Sequence, residues 1–544
     1  MAWQAEAGSG TSRATSTQDF LTKLVQFVCS QHVATVAVNA AGTGYTVGDV
    51  LTYTDASAHL AAKFEVTSIS GGGGTGPITG LRIISNGAFA QQAASASVSA
   101  GGSGYAVGDI LQVQGGSARL PAKFQVATLS GSAVATVNLF EGGGVYATTP
   151  SNPAATEGVG PDTFAGNDAC TLTVSYQAIT GTTGLSVSGG TGSSATVDIT
   201  LAQTGWAVDD RDKNNWADDD IANGDEKQVT LVGDASGFTN KPYIHLATGR
   251  TTSGLNTRHW VEVWMSVAHN AALTIQNQPG RTPYYVADNG SFLVFPQNAA
   301  NDTDFWFSAD DLRIMAIINE NPSANTDDGR YQHLYVGFMD RMKTETEDPY
   351  PALLSCSCRD RDVDPSVAST SITGLAEQRA PSNGPAYYYR TEASAWAQVK
   401  NNDTSTVGPE TDIMWPFGEH FTDTDQFSAS RVVTDGPVML NDSVIKRDRT
   451  SSSKILQKVP GTAAEMFLFP LAVVRQETSV ANETSDGPRG VLRDSFWLYN
   501  DDGAGSAIAN FSEDYVTIDG DRYRIFHNHV HTERYQYIAI REDV

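Results

Sequence analysis

The sequence predicts a mainly β protein with a few helices, an α+β fold. In it a large β-rich body carries two or three small β modules inserted near the N-terminus. Three observations predict this. Apolar residues recur at period two in many short runs, as half-buried strands require. One stretch of about 60 residues occurs twice in a fixed register. Composition changes at Gly205: residues 1–204 hold 11 acids and 6 bases and are crowded with Gly, Ala, Ser and Thr, whereas the remainder holds 50 acids and 29 bases.

A chain of 544 residues implies roughly three or four domains. The net charge of −26 argues against a nucleic-acid partner, because phosphate binding needs a basic surface. It argues equally against docking on anionic lipid. No run approaches the roughly 20 apolar residues that span a bilayer, and Met1-Ala2-Trp3-Gln4-Ala5-Glu6 lacks the basic-then-apolar layout of a signal peptide. Four cysteines make no disulfide framework.

The first element is a helix over Thr17-Gln18-Asp19-Phe20-Leu21-Thr22-Lys23-Leu24-Val25-Gln26-Phe27-Val28. Ser16 or Thr17 caps it, and Asp19 sits in its first turn. Phe20, Leu21, Leu24, Phe27 and Val28 form one apolar stripe, which needs a partner surface. The domain after Gly205 is the expected partner, so the segment between reads as an insertion with neighbouring ends. The divisions are 1–31 for the helical segment, 32–91 and 92–157 for two modules, 158–204 for a degenerate third module, and 205–544 for the body. A sub-boundary is expected near 400–410.

The repeat is explicit. Gly42-Thr43-Gly44-Tyr45-Thr46-Val47-Gly48-Asp49-Val50-Leu51 returns as Gly102-Ser103-Gly104-Tyr105-Ala106-Val107-Gly108-Asp109-Ile110-Leu111. Leu60, Ala62, Lys63, Phe64 and Val66 match Leu120, Ala122, Lys123, Phe124 and Val126. Gly42 and Gly44, like Gly102 and Gly104, permit the positive φ of a tight turn, over which Tyr45 or Tyr105 lays its ring. Gly48-Asp49 and Gly108-Asp109 are turn pairs before a strand. A phosphate-loop reading fails for want of a following GK[ST] and helix. The alternating runs 169–176 and 186–201 supply the degenerate third module.

In the body, runs at 229–232, 243–246, 259–265, 305–307, 312–318, 334–338, 467–474, 496–499, 515–518 and 523–526 read as strands. The linkers between several of them are long and rich in Asn, Asp, Ser, Thr and Pro.

Several patches resemble one family. Met1-Ala2-Trp3, a short capped helix and then Gly205-Trp206-Ala207-Val208 resemble the start of bacteriophage tail-associated virion proteins, in which the helix runs almost directly into a Gly-Trp strand. Tyr331-Gln332-His333-Leu334-Tyr335-Val336-Gly337-Phe338 with Asp348-Pro349-Tyr350-Pro351 is similar to a family segment of YLGF…YPYP type, although Glu345-Thr346-Glu347 is more acidic than the usual turn. The run from Ser512 through Tyr523 to Phe526, with Tyr537-Ile538-Ala539-Ile540, resembles its C-terminal hairpins, with three histidines interrupting the last one. The GxGYxVGDxL modules are similar to add-on modules of phage tail and fibre proteins. The resemblance implies a virion structural protein of the tail or baseplate, assembled in the host cytoplasm. It implies partners among copies of itself and other tail or baseplate proteins, with the repeat modules projecting. The alternatives are a tail fibre protein binding a receptor or host-surface glycan, and a capsid or head decoration protein. Neither nucleic-acid binding nor membrane insertion is expected.

Candidate chemistry is sparse. His527, His529 and His531 share one face of a strand, where imidazoles could hold a metal. They spread over about 13 Å, so one ion cannot take all three without bending. Asp218-Asp219-Asp220 with Asn223-Gly224-Asp225-Glu226 suggests calcium but does not fit EF-hand spacing. Cys356 and Cys358, two apart, would face the same side of one strand. Cys29 and Cys170 read as packing residues. Trp260, Trp264, Trp306, Trp396 and Trp415 would serve either sugar stacking or a β core. No GxSxG, HExxH or P-loop occurs, so neither an enzyme nor a cofactor is expected.

Overall fold

The computed structural model describes residues 1–6, 17–159, 169–177, 181–211, 228–253, 256–273, 277–282, 289–295, 303–319, 331–341, 344–356, 358–360, 386–390, 396–398, 466–474, 488–500, 515–518, 521–527 and 537–542. Strands dominate these residues, and the one α-helix among them is Thr17–Val28. The chain is mainly β, as the sequence predicts.

The body is layered. One sheet has six strands in the order Trp206–Arg211, Gln228–Gly233, Tyr243–Ser253, Asn256–Ser266, Asn289–Phe295 and Cys358–Asp360. A second has seven, running Ala2–Glu6, Asp304–Ala309, Arg313–Asn319, Tyr331–Phe338, Ala352–Cys356, Ala386–Arg390 and Trp396–Gln398. Their neighbours pair antiparallel. Between them lies one apolar core holding Trp206, Leu231, Leu246, Val263, Phe307, Ala316, Val336 and Leu354. The helix enters this core. Phe20 meets Phe295, Phe305 and Phe307 at ring-centroid distances of 5.2, 6.2 and 5.4 Å. The predicted stripe of Phe20, Leu21, Leu24, Phe27 and Val28 is wholly buried. Burying each such side chain contributes on the order of 1.5–3 kcal/mol, so the stripe anchors the helix.

A third sheet contains Pro488–Asn500, Tyr537–Arg541, Asp521–His527 and Tyr515–Ile518, with Met466–Val474 pairing Pro488–Asn500. It lies on the other face of the seven-stranded sheet, where Trp306 meets Phe526 at 5.0 Å. Both faces of that central sheet are therefore covered. This explains why every residue of Asp304–Ala309 and Arg313–Asn319 is buried, polar ones included. Buried Arg313 donates to Ser308 Oγ at 2.8 Å and reaches Asp494 at 3.0 Å, tying the third sheet to the second.

The two modules are nested. Strand Gln31–Thr43 pairs along its length with Ser193–Gln203, and inside that pair Gln92–Gly101 pairs with Cys170–Gln177. Each module combines a unit of about 60 residues with a closing hairpin. Leu185–Ser186, Ser188–Gly189 and Ser193–Gln203 close the first, while Ala154–Val159 and Cys170–Gln177 close the second. Residues 158–204, expected to form a third module, are thus shared between the other two. The registers are equivalent: Val36, Val38 and Ala41 face Ile199, Val197 and Ala195, as Ala96, Val98 and Gly101 face Val174, Leu172 and Cys170. Each module has its own core, built on Phe64 and Val66 in one and on Phe124 and Val126 in the other.

The insertion ends meet. Gln31 and Gln203 are register partners, and Thr204 Oγ1 donates to Val28 O at 2.5 Å. Both modules are docked at their roots, where the equivalent residues Leu60 and Leu120 enter the body core. The first module is also bonded to the N-terminal strand. Trp3 N donates to Asn86 Oδ1 at 2.7 Å, Asn86 N donates to Trp3 O at 2.7 Å, and Gly87 N donates to Gln4 Oε1 at 2.9 Å. The second uses Arg119, which donates to Trp206 O at 2.9 Å and to Asp234 at 2.7 Å.

Candidate functional site

The repeat turns are the best-defined candidate feature, and the two copies superpose in detail. Gly42, Gly44 and Gly48 have φ of +59°, +80° and +92°, while Gly102, Gly104 and Gly108 have +58°, +84° and +99°. Gly48 N donates to Val66 O at 2.9 Å and Val66 N to Asp49 O at 2.9 Å; Gly108, Val126 and Asp109 repeat this at 2.9 and 2.8 Å. Gly42 is demanded by packing as well as by φ. A Cβ there would lie 2.4 Å from Ser193 O and 2.7 Å from the Tyr45 ring. Tyr45 and Tyr105 are buried under the turns. The Tyr105 hydroxyl accepts from Cys170 N at 3.1 Å, joining the turn to the closing strand.

The copies differ at the aspartate. Asp49 accepts from Thr46 N and Thr46 Oγ1, both at 2.9 Å, and from Thr191 N and Thr191 Oγ1 at 3.0 and 2.7 Å. Partial burial works to raise its pKa, but these four bonds outweigh it and hold the carboxyl at about 2. Asp109 accepts from Ala106 N at 2.8 Å, and Ala106 offers no hydroxyl. Between the fixed groups, Val47 and Val107 point outward at equivalent positions, 59% and 63% exposed. The turn chemistry is therefore structural, with an apolar tip on each copy.

A second cluster was not visible in the sequence. A bulge between Val208 and Asp210 breaks the alternation of Trp206–Arg211 and lets the consecutive carboxylates of Asp209 and Asp210 reach one side chain. They clamp His269, with Nδ1 2.5 Å from Asp209 and Nε2 3.3 Å from Asp210. Burial alone would lower the His269 pKa, but the two hydrogen bonds and charges raise it to about 9. Nearby His245 is neutral. Burial, then the charge of His269, takes its pKa to about 3, and its ring nitrogens meet Thr230 Oγ1 at 2.9 Å and Ser266 Oγ at 2.7 Å. Both nitrogens of His269 are engaged by carboxylates, so the cluster is a charge clamp.

The remaining candidates are placed as follows. The His527 side chain, His529 and His531 lie outside the described residues, as do residues 218–220 and 223–226. Among the described residues, no group of three or more His, Cys, Asp or Glu is arranged to hold a metal. Cys356 and Cys358 do not share a strand face. Cys356 pairs with Leu334 in the seven-stranded sheet and Cys358 with Phe292 in the six-stranded one. The strands holding Cys356 and Cys358 belong to different sheets, which ends the period-two relation assumed for them. Trp260, Trp264 and Trp306 are buried, which removes them as sugar platforms. Trp415 and the Trp396 side chain lie outside the described residues. Cys29 and Cys170 are buried packing residues.

The runs 169–176 and 186–201 do fall on strands, but sequence reasoning missed that they close the two modules instead of forming a third. Their signal is the match of Cys170-Thr171-Leu172-Thr173-Val174-Ser175-Tyr176 to Ala195-Thr196-Val197-Asp198-Ile199-Thr200-Leu201. No described helix is long and apolar enough to cross a membrane. No protein-family model matches the chain, and no curated protein matches it either.

Proposed function

We propose that the chain is a structural component of a bacteriophage virion, of the tail or baseplate, that acts by subunit assembly. One observation carries this reading. The family resemblance implies a helix running almost directly into a Gly-Trp strand, and here 176 residues separate them only along the chain, residues 29 to 204. In space, Thr204 bonds the helix end at Val28, and Trp206 is buried in the same core with its indole nitrogen donating to Asp310 O at 2.6 Å. Removing the nested modules in thought would bring the helix directly to the Gly-Trp strand, which is what the resemblance implies and what supports the reading. Partners on this reading are copies of the chain and other tail or baseplate proteins. The acidic body, which carries −21 of the −26, keeps subunits soluble before assembly. Immunogold labelling of intact particles, with antibody raised against the recombinant chain, tests the assignment. Label on the tail is expected; label confined to the head would refute it.

A further inference from the structure

We propose that His32 and His59 are two acid-released locks that hold the modules in place at their roots. The repeat makes the locks comparable. Phe64 pairs with Ile83 as Phe124 pairs with Leu139, so Gly87 and Gly143 are equivalent root residues. Both have positive φ, +69° and +66°. Both press on the residues that enter the body core: a Cβ would lie 3.0 Å from Leu60 O at Gly87 and 2.5 Å from Leu120 O at Gly143. Each root carbonyl meets an imidazole. His32 Nδ1 lies 2.6 Å from Gly87 O, and His59 Nε2 lies 3.0 Å from Gly143 O. A carbonyl oxygen only accepts, so each of these nitrogens carries a proton.

The two histidines reach these carbonyls from different places. His32 follows the helix and packs edge-on to Phe27, with ring centroids 4.6 Å apart, so it ties the first root to the body. His59 belongs to the first module and ties the second root to it. Ala58-His59-Leu60 matches Ala118-Arg119-Leu120, and Arg119 binds the body through Trp206 O and Asp234. The joints therefore run from body to first module, to second module and back to the body. An arginine stays charged, whereas imidazoles titrate near neutral pH. Protonation works against both locks. His32 is 3% exposed and His59 part-buried, and desolvation lowers both pKa values, that of His32 to about 4. The charges facing them differ. The Met1 amine acts on His32 and opposes a second positive charge. Glu141, the register partner of buried Lys123, acts on His59 and favours one. As pH falls below 6.5 each lock loses stability, and the first loses more. The modules then swing free as folded units.

Native-state hydrogen exchange of the full chain at about pH 7.5 and about pH 5, corrected for intrinsic exchange, tests the proposal. With the His32 pKa at about 4, protection of the Asn86 and Gly87 amides, which bond Trp3 O and Gln4 Oε1, should fall about 30-fold. The Ala93 amide, which donates to Gly142 O, should lose less. The Val66 and Val126 amides, inside the modules, should keep their protection. His32→Asn places an amide nitrogen where Nδ1 stands, and His59→Gln one where Nε2 stands, so each keeps the bond without the titration. Each variant should remove the acid loss at its own root, and His59→Gln tests the second root even if His32→Asn fails to fold. A fall that survives these substitutions, an equal fall at Val66 and Val126, or no fall at all would overturn the proposal. None of these outcomes touches particle labelling, which decides the tail assignment separately.

Discussion

Asp49 and Asp109 occupy the same position in two copies of one module, so replacing each with Ala asks what its hydrogen bonds contribute. Asp49 accepts four bonds, two of them from Thr191 of the closing hairpin. Asp109 accepts a local bond from Ala106 N. Hydrogen bonds to a charged group contribute about 1.5–3 kcal/mol each at most. Solvent screening at this half-exposed turn, and the sharing of one carboxylate among four donors, reduce the total to about 2–3 kcal/mol. Loss of one cap-like bond at Asp109 costs about 1 kcal/mol. Native-state hydrogen exchange reads each module separately, through amides in Val50–Tyr53 and Ile110–Val113. Asp49→Ala should cost the first module about 1–2 kcal/mol more than Asp109→Ala costs the second. The pH sign is fixed as well. The Asp49 pKa is lowered from 3.8 to about 2, so its contribution is complete above 3.8 and is lost as pH falls through 2. Equal losses in the two modules would refute this account of the turn.

Other predictions concern packing, charge and topology. Gly42→Ala meets both a positive φ and Ser193 O at 2.4 Å, so it should cost well above the roughly 1–2 kcal/mol of backbone strain expected for Gly48→Ala, whose Cβ would meet nothing; urea midpoints of the two variants compare them. His269, with its pKa raised to about 9, stabilises fully below about 6.5, and that contribution is lost as pH rises through 9. His245, lowered to about 3, acts oppositely, costing stability as pH falls below 6.5. Asp209→Asn should therefore flatten the alkaline limb of a melting-temperature profile and leave the acid limb in place. Gln92 and Gln177 are register partners, so residues 92–177 can be replaced by a short linker while Val50–Tyr53 stays protected from exchange; deleting 181–203 should expose that strand.

Much of the fold was legible because it follows from local periodicity. The helix stripe needed only its spacing and found the partner surface expected for it. The predicted body runs fall on strands, apart from Leu312, which precedes Arg313–Asn319. The first halves of the modules were legible because both run in the same order. Their closing strands were legible as strands at 169–176 and 186–201 but not in their pairing, because nesting reverses the order: the strand closing the second module precedes the strand closing the first. Ala2–Glu6 was missed because five residues carry too little pattern, and its pairing with Asp304–Ala309 spans some 300 residues. The His269 clamp depended on a bulge, which changes side-chain direction without marking the sequence. The Cys356 and Cys358 expectation failed for a related reason, since a chain that changes sheets breaks the alternation used to place them.

Separating tails from heads of purified particles and quantifying this protein in each fraction tests the assembly account most directly. The account predicts that it is recovered with the tail fraction at a fixed ratio to the other tail proteins. Recovery with heads alone, or absence from washed particles, would contradict it.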